Sequence, residues 1–84
     1  MEYGRRRVDA KRRERLRGAL KLLDSAAHIV DSVCDKEQDC VDNYPENLQG
    51  TERFEQMESA VDNLNDALEK IDDAKEQIAS AIGW

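Results

Sequence analysis

Apolar residues recur at intervals of three and four along the C-terminal half of the chain, from residue 51 to residue 82. In a heptad reading they fill two positions of the repeat, the first with Phe54, Val61, Leu68 and Ile82 and the second with Met57, Leu64, Ile71 and Ile78. A third position beside them is alanine at residues 60, 67, 74 and 81, and Lys75 alone interrupts the pattern. Because 3.6 residues per turn bring such positions onto one face, the pattern predicts an amphipathic helix over 51–82.

A similar pattern predicts a first helix from about residue 8 to residue 35. One apolar stripe consists of Leu16, Leu20, Leu23, Ala27, Val30 and Cys34, and an adjoining stripe of Ala19, Leu22, Ala26, Ile29 and Val33. Both faces are wider than the seam of a two-stranded coiled coil. We therefore expect an all-α fold, a coiled-coil-like antiparallel two-helix hairpin that forms one domain over 1–84 and dimerises into a four-helix bundle. The expected self-association core is Leu16, Leu20, Leu23, Val30, Met57, Val61, Leu64, Leu68, Ile71 and Ile78.

The segment between the helices, residues 36–50, is rich in turn-forming residues and contains the single proline, Pro45. Pro45 disfavours the α conformation at Tyr44 and can open a short turn, and Thr51 is a good N-cap for the second helix. Folding back at this loop is expected to set Cys34 near Phe54. The same register would place Arg15 near Asp73 and Arg12 near Glu76.

The formal net charge of -6 conceals an asymmetry along the chain. Residues 1–21 hold nine of the thirteen Lys and Arg residues against three carboxylates, a net +6, so the remainder carries -12. Either the two ends pair with each other, or each faces its own partner. The predicted register favours pairing of the basic arm, residues 1–15, with the acidic end of the second helix.

The loop and the helix after it carry a resemblance to known proteins. The segment DNYPENLQG, residues 42–50, followed by TERFEQMESAVDNLNDALEKIDDA, resembles a set of small helical proteins from phages and mobile elements of Firmicutes. These share an Arg/Lys-rich start, a DNxPENLQG(S/T) loop and an acidic amphipathic helix. The resemblance brings no assigned activity. It implies a phage or mobile-element setting, in which small acidic proteins often bind host machinery. Separately, the sequence has no membrane span and no apolar stretch that would make a signal peptide, and we therefore expect the cytoplasm of a bacterial host.

Residues able to carry chemistry are few. Cys34 and Cys40 lack the spacing of a zinc site, and His28 has no nucleophile spaced to use it within its helix. A disulfide is geometrically possible if the chain turns after Cys34, but a reducing cytoplasm disfavours it. We expect Cys34 to be a core residue and Cys40 a loop thiol. The sequence predicts no enzyme, no metal, no cofactor, no small-molecule ligand and no membrane span.

Three functions remain compatible with the sequence. The leading hypothesis is a non-catalytic protein-interaction module that binds and modulates or inhibits a host protein, for example a nucleic-acid-handling or defence protein. The surface expected to bind it is an acidic stripe, Asp62, Asp66, Glu69, Asp73 and Glu76. The alternative is a small nucleic-acid-binding accessory whose basic arm supplies Arg5, Arg6, Arg7, Arg12 and Arg13. The third is a purely structural helper that assembles only with itself.

Overall fold

The computed structural model describes residues 9–83 and is an all-α hairpin of two long helices. Helix α1 spans Ala10–Asp42, a short 3-10 helix spans Glu46–Leu48, and helix α2 spans Glu52–Ile82. No strand occurs in residues 9–83. The predicted fold class, an antiparallel helical hairpin, is confirmed.

Both helices begin at a side-chain cap. The Asp9 carboxylate accepts a hydrogen bond from the backbone N–H of Arg12 at 3.0 Å, and it meets the arginines of the first turn with a negative charge. The Thr51 hydroxyl accepts from the N–H of Phe54 at 3.3 Å and donates to the carbonyl of Leu48 at 2.8 Å. The bonds to the Arg12 and Phe54 N–H groups satisfy backbone donors that a helix start leaves unpaired. The predicted cap at Thr51 and the predicted turn opened by Pro45 are both present.

The first helix is longer than the sequence pattern indicated. We expected it to end at residue 35 and a loop to occupy 36–50, but α1 continues to Asp42. Residues 36–42 contain no glycine or proline, and Glu37 and Val41 continue the alternating spacing of three and four from Cys34. The helix ends only where Pro45 restricts Tyr44. The connection is therefore residues 43–51.

Contacts between the helices set their register. The rings of Tyr44 and Phe54 pack with centroids 5.3 Å apart, the Cys34 Sγ lies 3.6 Å from the Asn65 Oδ1, and Lys75 pairs with Asp24. Extending this alignment places Leu16 level with Ile82. The expected contact of Cys34 with Phe54 is wrong, because the longer α1 moves the reversal point toward the C-terminus.

The two helices meet along a seam whose positions alternate by three and four residues, as in a coiled coil. The seam consists of Leu16, Leu20, Leu23, Ala27, Val30, Cys34, Glu37 and Val41 on α1 and of Phe54, Met57, Val61, Leu64, Leu68, Ile71, Lys75, Ile78 and Ile82 on α2. Of the described residues only Cys34, Phe54 and Val61 are buried, and the other seam residues are half-buried. The molecule measures 68 × 18 × 14 Å, and its two long helices form a single layer. Because only the opposite helix packs against each seam residue, most seam side chains keep part of their surface in solvent.

Candidate functional site

The acidic stripe occupies the outer face of α2. Its five residues, Asp62, Asp66, Glu69, Asp73 and Glu76, are all exposed, and none is paired with a cation elsewhere in residues 9–83. Successive members are three or four residues apart, which corresponds to roughly 5 Å along the helix axis. A rigid helix thus displays a row of carboxylates to solvent. Such a row attracts a basic surface and orients it along the helix.

The seam, on the inner face of α2, holds that row in place. Every residue of the expected self-association core lies on the seam within one hairpin, where Val61 is buried and the other nine are half-buried. The apolar residues therefore fix the rotation of α2 about its axis, and this rotation points the acidic stripe away from α1. Their first partner is the neighbouring helix of the same chain.

Among residues 9–83, the basic segment of α1 forms no ion pair with α2 through its arginines. Arg12 lies 3.7 Å from Asp9, and Arg17 lies 3.1 Å from Glu14, so both partners belong to the start of the chain itself. The expected proximity of Arg15 to Asp73 and of Arg12 to Glu76 is wrong. In the observed register Asp73 is level with Ser25 and Glu76 with Leu22, about 15 Å from the expected positions.

Residues 10–15 of α1 consequently extend past Ile82, where α2 ends. Arg12 is exposed there, and Arg13 is half-buried in line with the seam. Arg5, Arg6 and Arg7, the other members of the predicted nucleic-acid arm, lie outside the described residues. Within residues 9–83, no ion pair therefore joins the described part of the basic arm to α2.

One ion pair between described residues joins the two helices. The Lys75 ammonium lies 2.5 Å from the Asp24 carboxylate, with the Lys75 side chain 30% exposed. The hydrogen bond from Lys75 lowers the pKa of Asp24, and the hydrogen bond to Asp24 raises the pKa of Lys75. Lys75 occupies a seam position level with Leu23, and its charge reaches the edge of the seam to meet Asp24. Lys75, which interrupts the heptad pattern, therefore forms an ion pair with Asp24 that is specific to the observed register of α1 against α2.

The two thiols have different environments. Cys34 is buried in the seam, as predicted, with its Sγ 4.0 Å from the Val61 carbonyl oxygen. Cys40 is exposed, but it lies on α1 and not in a loop, which corrects the prediction. Both cysteines are free, and a continuous helix between them holds their Cα atoms about 9 Å apart, too far for a disulfide. His28 is exposed on α1.

Three large apolar residues of α1 are exposed to solvent, and the sequence analysis assigned them no functional role. Leu22, Ile29 and Val33 are 73%, 66% and 45% exposed. They belong to the second apolar stripe of α1, which we name the free row: Ala19, Leu22, Ala26, Ile29 and Val33. The sequence signal for this row was its own spacing of three and four. Only the packing shows that α2 covers the other stripe.

Comparison with known proteins adds no assignment. No protein-family model matches the chain, and no curated protein and no solved structure matches it. Neither long helix contains, within residues 9–83, an apolar stretch long enough to cross a membrane. Over the same residues no three His, Cys, Asp or Glu side chains are grouped as a metal site would require.

Proposed function

We propose that this protein is a non-catalytic protein-interaction module that binds a basic surface of a host protein and modulates or inhibits it. The observation that supports this function is the acidic stripe, five exposed carboxylates in one row on the outer face of α2. The seam residues on the inner face of α2 hold the row rigid, so a partner would not have to order it on binding. The resemblance of the loop to phage and mobile-element proteins supports a bacterial host as the source of the partner.

Charge neutralisation of the stripe tests this function. The stripe variant changes four of its residues, Asp62→Asn, Asp66→Asn, Glu69→Gln and Asp73→Asn. A matched control changes the same number of exposed carboxylates elsewhere, Asp31→Asn, Asp35→Asn, Asp39→Asn and Glu46→Gln. Both variants carry the same net charge, so a difference between them reports position and not total charge.

The measurement is quantitative affinity capture from the bacterial host followed by titration of the captured protein. We expect the stripe variant to bind at least about tenfold more weakly, with helicity unchanged by circular dichroism, because several charge pairs at an interface are lost together. The control variant should bind like the wild type. Equal loss of binding in both variants would show that bulk charge, and not the stripe, is recognised, and would refute the proposal.

A second candidate, nucleic-acid binding by the basic arm, is favoured by one observation. The register leaves residues 10–15 beyond the end of α2, so no described α2 carboxylate neutralises them. Against it, the rest of the chain is strongly acidic and repels phosphate. If the arm binds nucleic acid, the wild type should shift duplex or single strands at 150 mM salt. Replacing Arg5, Arg6, Arg7, Arg12 and Arg13 with Gln should then abolish the shift and its salt dependence.

A further inference from the structure

The free row has the geometry of a second helix-packing seam. Its members, Ala19, Leu22, Ala26, Ile29 and Val33, alternate by three and four residues, the spacing that keeps side chains facing one partner helix. In the hairpin that partner is missing, since Leu22 and Ile29 keep most of their surface in water. Scattered exposed apolar residues are ordinary, but a contiguous row of them is typical of an interface.

The alanines of α2 lie on the same side of the hairpin as the free row. Ala19, Ala26 and Val33 each precede a seam residue of α1, and the α2 alanines at 60, 67, 74 and 81 each precede a seam residue of α2. The two antiparallel helices are related by an approximate two-fold axis that is perpendicular to the plane containing both helix axes. Rotation about this axis keeps equivalent heptad positions of α1 and α2 on the same side of that plane. The opposite side is polar, with a groove lined by Gln38, Val41, Glu58, Val61 and Asp62. The hairpin therefore has one apolar side and one polar side.

The surface area of the chain is larger than that of a compact monomer of the same mass. The protein exposes 6520 Å², whereas a compact monomer of 9.6 kDa exposes about 5,100 Å². The excess, about 1,400 Å², exceeds the roughly 800 Å² that each partner buries in a standard protein interface. The elongated hairpin therefore has enough surface for an interface of standard size.

The charges along the rod determine how a second copy fits. Residues 10–21 carry a net +5, from Lys11, Arg12, Arg13, Arg15, Arg17 and Lys21 against Glu14. The loop half of the hairpin, residues 31–58, carries nine carboxylates against Lys36 and Arg53, a net -7, without any member of the acidic stripe. Two copies with their loops at the same end would bring these acidic halves together. Two copies with their loops at opposite ends place the basic start of each α1 over the acidic loop half of the other.

We propose that a second copy of this chain covers the free row, with α1 packed antiparallel on the partner's α1 and the loops at opposite ends of a four-helix bundle. The two-fold axis passes near Ala26, the middle of the free row. The alanine rows of the two α2 helices lie on the same side and permit close approach there. The acidic stripe stays on the outside, so this assembly is independent of the proposed partner binding.

Adjacent residues on α1 supply a matched pair of variants. Ile29→Asp places a charge in the free row, whereas His28→Asp places the same charge at an exposed position about 100° away on the same turn. We expect the wild type and His28→Asp to sediment as dimers at micromolar concentration. The dimer dissociation constant of Ile29→Asp should be about 100-fold or more above that of the wild type, because each dimer loses two buried apolar side chains. A monomeric wild type, or a dimeric Ile29→Asp, would overturn the proposal.

Thermal unfolding keeps the proposal testable if Ile29→Asp does not fold. A dimer that dissociates on unfolding has a melting temperature that rises with protein concentration, whereas a monomer does not. The wild type should therefore show a concentration-dependent melting temperature over a hundredfold range. A constant value would overturn the proposal without any variant.

The orientation of the copies is measured at Cys40, which is exposed while Cys34 is buried. Brief native labelling with a nitroxide should modify Cys40 alone, as a mass measurement can check. With the two-fold axis near Ala26, the two Cys40 residues are separated by about 28 residues of helix rise, roughly 40 Å. Pulsed electron-electron double resonance between the two nitroxides should report this distance. A distance below about 20 Å would place the loops at the same end and overturn the antiparallel arrangement.

Discussion

Replacing Cys34 with alanine probes the most buried part of the seam. Cys34 is 6% exposed, with its Sγ 4.0 Å from the Val61 carbonyl oxygen and 3.6 Å from the Asn65 Oδ1. Because a thiol is a weak donor and both contacts are long, the hydrogen bonds should contribute little. The effect of Cys34→Ala should therefore come from lost burial and from the space left behind.

The magnitude follows from the size of one sulfur atom. Loss of a buried group the size of a methylene costs about 0.8 kcal/mol. A residual cavity of about 20 Å³ at about 24 cal/mol per Å³ adds roughly 0.5 kcal/mol. We expect Cys34→Ala to lower the free energy of unfolding by about 1.3 kcal/mol, which lowers the melting temperature by about 5 to 10 °C in a domain of this size.

Urea titrations followed by circular dichroism at 222 nm, at one fixed protein concentration, measure this change. Cys40→Ser is the matched control, since Cys40 is exposed on the same helix and its replacement should change the free energy by less than about 0.5 kcal/mol. Reductant should leave both curves unchanged. A loss above about 3 kcal/mol for Cys34→Ala, or equal losses for the two variants, would refute the reasoning from burial.

Three further predictions concern local features of the helices. Gly18→Ala should raise the free energy of unfolding by about 1 kcal/mol in urea titrations, because Gly18 lies inside α1 with open space where a Cβ would stand; a decrease would show that another surface packs on it. Thr51→Ala should lower the free energy of unfolding by about 1 kcal/mol, because the cap on the Phe54 N–H is lost. Thr51→Ser keeps the hydroxyl and should retain most of that stability. Equal losses in both variants would argue against the cap. The Asp24–Lys75 pair lowers the pKa of Asp24 below 3.8 and raises the pKa of Lys75 above 10.5. Its stabilisation is therefore fully present between these values and is lost as the pH falls through the folded-state pKa of Asp24 or rises through that of Lys75. The difference in melting temperature between the wild type and Lys75→Met should be constant from pH 5 to pH 9 and change at both extremes; a difference that stays constant to pH 2 would contradict this account.

The candidate site was only partly predictable from the sequence. The exposure of the acidic stripe follows from the heptad pattern, because the apolar positions of α2 leave these residues on the other face. The environment of the basic arm does not follow, since it depends on the register of α1 against α2. Arg15 was expected near Asp73, whereas the structure places Ser25 level with Asp73. That shift separates the arginines from the carboxylates that were expected to neutralise them.

The sequence by itself determined the fold class, because alternating intervals of three and four predict helix faces, and Pro45 and Thr51 mark a reversal and a new start. Only the tertiary structure decided the register, the extension of α1 to Asp42 and the choice of covered stripe. The physical reason lies in the repeat. If α1 shifts along α2 by three, four or seven residues, one seam residue takes the place of another, and the apolar faces of the two helices still meet. Periodicity therefore determines rotation about a helix axis, whereas position along the axis depends on contacts such as Tyr44 with Phe54 and Asp24 with Lys75.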